Sequence, residues 1–176
     1  KVLEKIINRH LTKYLNDQQL LDTTQSGFRP NHTTETALIT ATDDIRMTLD
    51  RDMAALVLLD LSAAFDTVSH AILIQRLHNI RIQGHTLRWI CSILTGRTQS
   101  VSLAPYTSDA CDLICGVPQG SSLSPTLFNA YMIPLASIIC SHDINVLSYA
   151  NDTQLILSLT DKTPSTRIKF NACMTE

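Results

Sequence analysis

The chain has 176 residues, of which 44% are hydrophobic and 17% are charged. This balance can bury a core and excludes a disordered chain, and the length allows one domain or one domain and part of another. A net charge of -2 gives no overall positive field of the kind that attracts nucleic acid or a membrane surface. No apolar run is long enough to span a membrane, so we expect no membrane partner.

Five cysteines without a signal peptide predict an intracellular protein with reduced thiols that are buried or half-buried. The chain starts at Lys1 inside what reads as a helix and stops abruptly at Glu176. We therefore expect a fragment of a longer protein.

Apolar residues recur at helical spacing in residues 1–15 and again in about 33–49, where Thr33 or Thr34 is the expected N-cap. In the first of these helices, four basic residues recur every fourth position and gather on one face: Lys1, Lys5, Arg9 and Lys13. Such a face can bind a phosphate backbone, although it is more often an ordinary solvated surface.

The continuous apolar run over 53–61 predicts a central strand that is buried on both faces. Helices are then expected over 70–80 and 86–94, a hairpin of 98–103 with 109–115, a loop at 116–120 and a helix over 122–139. Two short strands, 144–149 and 153–159, flank the tetrapeptide Tyr-Ala-Asn-Asp and predict a tight hairpin. This order of elements predicts an α+β fold, with helices layered on a small antiparallel sheet.

Two carboxylates stand where these predicted strands end. Asp60 closes the apolar strand and Asp152 lies at the tip of the last hairpin. Two acidic residues from neighbouring strands can bind a hard divalent cation, because Mg²⁺ takes its other ligands from water and phosphate. Each residue also has an ordinary explanation, Asp60 as a helix cap or turn residue and Asp152 as turn chemistry.

Four sequence blocks decide between these alternatives. In chain order they are QSGFRPNHTTETAL at 25–38, LLDLSAAFDTVSH at 58–70, GVPQGSSLSPTLFNAYM at 116–132 and LSYANDTQLIL at 147–157. Together they resemble the fingers block and three core blocks of reverse transcriptases from non-LTR (LINE-type) retrotransposons. The resemblance implies a polymerase palm with a helical fingers portion, the fingers in residues 1–52 and the palm in 53–176, cut short after the catalytic hairpin and without a thumb.

The resemblance assigns roles at the catalytic centre. It implies that Asp60 and Asp152 bind two catalytic Mg²⁺ ions and that Tyr149 packs under the primer end. Asn151 occupies a position where the family pattern has a metal-binding aspartate, so we expect a catalytically impaired copy.

The resemblance also implies a nucleotide site. Phe65 would exclude a 2'-hydroxyl from the incoming sugar, or would be a core residue. Gln119 and Gly120 would lie beside the templating base pair, although Gly120 can also be an ordinary turn glycine. Arg29 would meet triphosphate or template phosphate, or would lie on the surface without that role. Asp66 comes next in the family pattern, and the resemblance implies that its role is structural rather than metal-binding.

The predicted function is RNA-directed DNA polymerisation, with an RNA template, a DNA primer and a dNTP as partners. The alternative is a non-catalytic remnant that only binds RNA or DNA.

Overall fold

The computed structural model describes residues 1–51, 53–159 and 165–175. Its helices are α1 (Val2–Asp17), α2 (Thr34–Leu49), α3 (His70–Asn79), α4 (Gly84–Leu94), α5 (Ser124–Ser141) and α6 (Ser165–Cys173). Its strands are β1 (Met53–Asp60), β2 (Thr98–Gln99), β3 (Ser102–Leu103), β4 (Tyr106–Thr107), β5 (Cys111–Asp112), β6 (Asn145–Tyr149) and β7 (Asp152–Leu159). The α+β expectation is confirmed. Across these described ranges, none of the helices combines the length and apolarity needed to cross a membrane.

Contacts divide the chain into two compact units. The first unit comprises Lys1–Tyr14 and Ala63–Tyr131, and the second comprises Leu15–Ser62 and Met132–Glu176. The division into fingers at 1–52 and palm at 53–176 stays a prediction.

The second unit contains a three-stranded antiparallel sheet in the order β1-β7-β6. Strand β7 pairs with β1 along its whole length, from Met53 opposite Leu159 to Asp60 opposite Asp152. On its other side β7 forms the predicted hairpin with β6. The register therefore brings the end of β1 to the turn of the hairpin.

The prediction that β1 is a central strand buried on both faces is wrong. In the described part of the chain β1 is an edge strand, and its residues alternate between the core and the outside. Val57 and its neighbours at 55 and 59 pack against the core cluster of this unit, whereas Leu56 is 46% and Leu58 is 67% exposed. A continuous apolar run shows that both faces of a strand are hydrophobic. Whether each face is buried depends on elements that are distant in sequence.

Helix α2 begins as predicted. Thr33 is its N-cap, and its hydroxyl accepts a hydrogen bond from the backbone N–H of Thr36. The Thr36 hydroxyl lies 3.0 Å from the Thr33 backbone N–H and accepts from it in return, which completes a capping box. This capping box satisfies backbone donors that the first helical turn leaves without partners.

The first unit buries apolar residues of α3, α4 and the start of α5. Large side chains with almost no exposed surface include Leu73, Leu77, Ile90 and Leu94, Leu123 immediately before α5, and Leu127 and Phe128 within it. The predicted hairpin of 98–103 with 109–115 is only partly correct. Strand β2 pairs with β5, but β3 pairs with β4 in a separate short hairpin between them.

The cysteines differ from the expectation of buried or half-buried thiols. Cys111 and Cys140 are exposed, whereas Cys91 and Cys115 are half-buried and Cys173 is buried. Cys111 lies in the two-residue strand β5, whose two residues are both exposed.

Candidate active site

The two predicted carboxylates meet at one end of the three-stranded sheet. Asp60 is the last residue of β1 and Asp152 the first of β7, and they are directly paired across the antiparallel ladder. Directly paired residues on neighbouring strands have their Cβ atoms about 5 Å apart. Both side chains are exposed, so neither carboxylate bears the cost of burying a charge.

A two-residue turn carries Asn151 to the same place. Strand β6 ends at Tyr149 and β7 begins at Asp152, so Ala150 and Asn151 form the turn. The side-chain Nδ2 of Asn151 donates a hydrogen bond of 2.8 Å to Oδ1 of Asp60. The structure therefore brings together the three residues predicted for the metal site, with the amide hydrogens of Asn151 facing the carboxylate.

Tyr149 lies at the other side of the turn and is half-buried. Tyr149 and Asp152 both line a cavity of about 320 Å³, together with α2 residues such as Ala37 and Ala41. Its contact with a primer stays a prediction.

Arg29 is engaged within its own loop. Its Nη1 donates to the backbone carbonyls of Asp22 and Gln25, and the side chain is half-buried. These bonds hold the loop that precedes α2. A contact with triphosphate or template phosphate stays a prediction.

The remaining predicted residues belong to the first unit. The loop that carries Phe65 and Asp66 is bonded to the loop of Gln119 and Gly120 through the backbone, for example from the N–H of Val117 to the carbonyl of Phe65 over 2.8 Å. The ring of Phe65 is half-buried and lies 5.1 Å from that of Phe128, between ring centroids. Phe65 therefore packs against the core, while its role as a sugar gate stays a prediction.

Gln119 is bonded to a carboxylate. Its Nε2 donates to both oxygens of Asp66, at 3.0 and 2.9 Å. Gln119 and Gly120 are both exposed, and Gly120 has a φ of +78° with no atom within 4 Å of the position a Cβ would take. The turn therefore leaves open space at Gly120, and the position beside a base pair stays a prediction for both residues.

The donor set at the sheet end fits a hard divalent cation. Two exposed carboxylates from paired strands supply the oxygen ligands that Mg²⁺ prefers, and the Asn151 amide oxygen can add a neutral ligand. Within residues 1–51, 53–159 and 165–175, no group of three or more His, Cys, Asp or Glu side chains could hold a metal ion. The sheet end therefore offers a cation two carboxylates and one amide oxygen.

One residue that the sequence reasoning missed is Gln25. It is buried, and its side chain is bonded to Ala150 in the turn. Its position in the QSGF motif was visible, but a buried amide that contacts a residue 125 positions away leaves no local pattern.

The comparison with known families decides what these residues belong to. A model of the family described as reverse transcriptase (RNA-dependent DNA polymerase) matches residues 1–176. The chain belongs to the reverse transcriptase family. Reverse transcriptases use divalent metal ions and act on a nucleic-acid template and primer.

Its curated relatives place the chain among the non-LTR reverse transcriptases, as predicted. It is 31% identical over 171 residues to the retrovirus-related Pol polyprotein from type-1 retrotransposable element R2 of Popillia japonica. It is 26% identical over 162 residues to the RNA-directed DNA polymerase from mobile element jockey of Drosophila melanogaster. These matches cover 88% and 89% of the chain, but only 23% and 18% of the two relatives.

A solved structure shares the reverse transcriptase fold. The apo telomerase from Candida tropicalis, truncated from its C-terminal domain, matches with a TM-score of 0.63 and 13% identity. The match covers 98% of the chain and 36% of the telomerase chain. The likeness at this identity is one of fold.

Proposed function

We propose that this chain is the fingers and palm part of an RNA-directed DNA polymerase, and that its catalytic metal site is weakened by Asn151. The observation that carries the proposal is the cluster of Asp60, Asp152 and Asn151 at one sheet end, with the amide of Asn151 donating to Asp60. The family pattern expects a third carboxylate where Asn151 stands.

The reaction is nucleotidyl transfer. The primer 3'-hydroxyl oxygen forms a bond to the α-phosphorus of the dNTP, the bond from that phosphorus to the β-phosphate breaks, and pyrophosphate leaves while the hydroxyl proton passes to solvent. When bound, two Mg²⁺ ions supply activation of the hydroxyl and neutralisation of the triphosphate charge.

The chain's residues would bind and orient the reactants. Asp60 and Asp152 would hold the ions, while Tyr149 would pack under the primer end. Phe65 would contact the incoming sugar, and Gln119 with Gly120 would border the templating base pair. Base pairing would read the sequence of the RNA template.

The weakening follows from charge. Asn151 lacks the negative charge that a carboxylate offers a divalent cation, and its N–H must turn away from Asp60 before its oxygen can bind. Metal ions contribute several kcal/mol of transition-state stabilisation. Losing part of this contribution lowers the rate by roughly 100-fold or more, since about 1.4 kcal/mol corresponds to a factor of ten.

Primer extension on an RNA template with a DNA primer tests the proposal, in Mg²⁺ and then in Mn²⁺. We expect Asn151→Asp to extend the primer at least about 100-fold faster than the native chain. Adding Asp60→Ala to that variant should abolish the gain. Equal rates for the native chain and Asn151→Asp, or no extension by either, would contradict the assignment to Asn151.

A second candidate function is RNA binding without catalysis. All four basic residues of the α1 face, Lys1, Lys5, Arg9 and Lys13, have exposed side chains. If they bind single-stranded RNA, each substitution to alanine should reduce the slope of log affinity against log salt by about 0.7. Arg51→Ala, an exposed basic residue outside α1, is the control, and an unchanged slope in the α1 variants would exclude this surface.

A further inference from the structure

Gln25 makes an unusual set of contacts for a loop residue. It is only 6% exposed, and it lies between α1 and α2. Its Oε1 accepts from the backbone N–H of Ala150 at 2.9 Å and of Gly27 at 2.8 Å. Its Nε2 donates to the carbonyl of Ala150 at 3.0 Å. One buried amide therefore satisfies both backbone groups of Ala150.

Ala150 is the residue of the turn that most needs such support. Its φ is +59°, in the left-handed region that is unfavourable for a residue with a Cβ. It immediately precedes Asn151, whose side chain contacts Asp60. The backbone conformation of Ala150 therefore sets where the side chain of residue 151 points.

The segment around Gln25 lies alongside the end of β6. The N–H of Ser26 donates to the carbonyl of Ser148 at 2.8 Å, and the N–H of Ser148 donates to the carbonyl of Thr24 at 2.9 Å. A Cβ added to Gly27 would lie 2.0 Å from the backbone nitrogen of Ala150, so no other residue fits there without movement. We call residues 24–27 the turn clamp.

We propose that Gln25 is a positioning residue of the active site, which fixes the left-handed Ala150 and thereby the point at which residue 151 meets Asp60. The metal-binding part of this inference rests on the proposed function. The side-chain amide of Gln25 supplies both the acceptor and the donor that Ala150 requires. Gln25→Glu removes the donor, and Gln25→Met removes both groups at similar volume.

Amide hydrogen exchange measured by NMR tests the clamp without any metal. In Gln25→Met we expect exchange at Ala150 and Gly27 to accelerate about tenfold, as the loss of one net hydrogen bond allows. Exchange at Ser148, whose N–H is bonded to a backbone carbonyl, should change little. The control is Val146→Ala, a core change in β6 that should accelerate the three amides together. Uniform acceleration in Gln25→Met would overturn the proposal.

Binding of Mn²⁺, followed by electron paramagnetic resonance in the Asn151→Asp background, tests the consequence for the metal. We expect Gln25→Met to weaken Mn²⁺ binding by about tenfold, as loss of a group that orients a ligand does. Val146→Ala is the control for lost stability. At the same loss of melting temperature as Gln25→Met, it should leave the Mn²⁺ affinity unchanged. If Gln25→Met accelerates exchange selectively at Ala150 but leaves the Mn²⁺ affinity unchanged, the positioning role is overturned. Failure of the Asn151→Asp parent to bind Mn²⁺ would contradict the proposed function, while the exchange pattern would still decide the clamp.

Discussion

The side-chain amide of Asn151 lies 2.8 Å from the carboxylate of Asp60 and donates to it, which links the β6–β7 turn to the end of β1. Two carboxylates in these positions would repel each other, and a cation between them would relieve the repulsion. The amide instead forms a neutral-to-anion hydrogen bond that holds the two strand ends together without a cation. The first prediction follows from this contrast.

Asn151→Asp should make the stability of the chain depend on divalent cations. In EDTA the added carboxylate faces Asp60, at a cost of about 1 kcal/mol for exposed charges at this separation. This cost lowers the melting temperature by about 2–4 °C for a chain of this size, and Mg²⁺ or Mn²⁺ should restore it. Differential scanning fluorimetry measures both values. Asn151→Ala, which loses the bond without adding charge, is the control and should gain less from metal than Asn151→Asp does.

Gly116→Ala should destabilise the first unit more than Gly96→Ala. Both glycines have positive φ, +88° and +66°, so both substitutions carry the backbone cost of the left-handed region. At Gly116 a Cβ would also lie 2.9 Å from the carbonyl oxygen of Asp66, whereas at Gly96 nothing lies within 4 Å. We expect a loss of about 1 kcal/mol for Gly96→Ala and about 2–3 kcal/mol for Gly116→Ala. Urea unfolding measures the difference, and equal losses would show that the loop shifts to accommodate the methyl group.

Exchanging the amide and the carboxylate of the Gln119–Asp66 pair should show whether the hydrogen bond itself contributes to stability, whichever residue supplies the amide. Gln119→Glu sets two carboxylates against each other and should cost about 1 kcal/mol or less, because both side chains are exposed. Adding Asp66→Asn restores an amide opposite a carboxylate and should recover the loss. Thermal melts of the two single variants and the double variant form a double-mutant cycle. Additive effects would mean that the contact contributes nothing.

The Asp143–Lys169 pair should give the second unit a small acid-sensitive contribution to stability. The hydrogen bond from Lys169 Nζ, 2.9 Å from Oδ2, and the charge of Lys169 hold the pKa of Asp143 below its ordinary value of 3.8, against a small opposing effect of burial. Because the folded pKa is the lower one, the contribution is fully present above the ordinary pKa and is lost as pH falls through the folded pKa. The melting temperatures of the native chain and Asp143→Asn should differ at about pH 6, and the difference should shrink as the pH falls below 3.8 and through the lowered pKa of Asp143.

High salt provides the control for this pair. Because both side chains are largely exposed, salt should shrink the difference at neutral pH. If the difference in melting temperature persists at low pH, its cause is something other than the ion pair.

Local patterns in the sequence predicted those parts of the fold that are formed by neighbouring residues. Thr33 as the cap of α2 and the hairpin around Tyr149–Asp152 could be found because capping and tight turns depend on a few adjacent side chains. The motifs also indicated where Asp60 and Asp152 meet, because Asp60 ends one strand and Asp152 begins another.

Contacts between distant segments could not be predicted in the same way. The exposed face of β1 at Leu56 and Leu58 depends on which helices cover the sheet. The bonds of Gln25 to Ala150 and of Gln119 to Asp66 join segments that are 125 and 53 positions apart. Polar side chains carry no sign of such pairing in their own neighbourhood, so a buried glutamine reads as an ordinary loop residue.

The bonds of Gln25 to the main chain of Ala150 also bear on how readily a carboxylate could be introduced at position 151. Codons for asparagine and aspartate differ only in their first base, so a single transition at codon 151 would exchange the amide for a carboxylate. Gln25 holds residue 150 through backbone atoms, and these two bonds do not involve the side chain of residue 151. The substitution would therefore enter a turn whose shape Gln25 already supports, without a second substitution to rebuild that support.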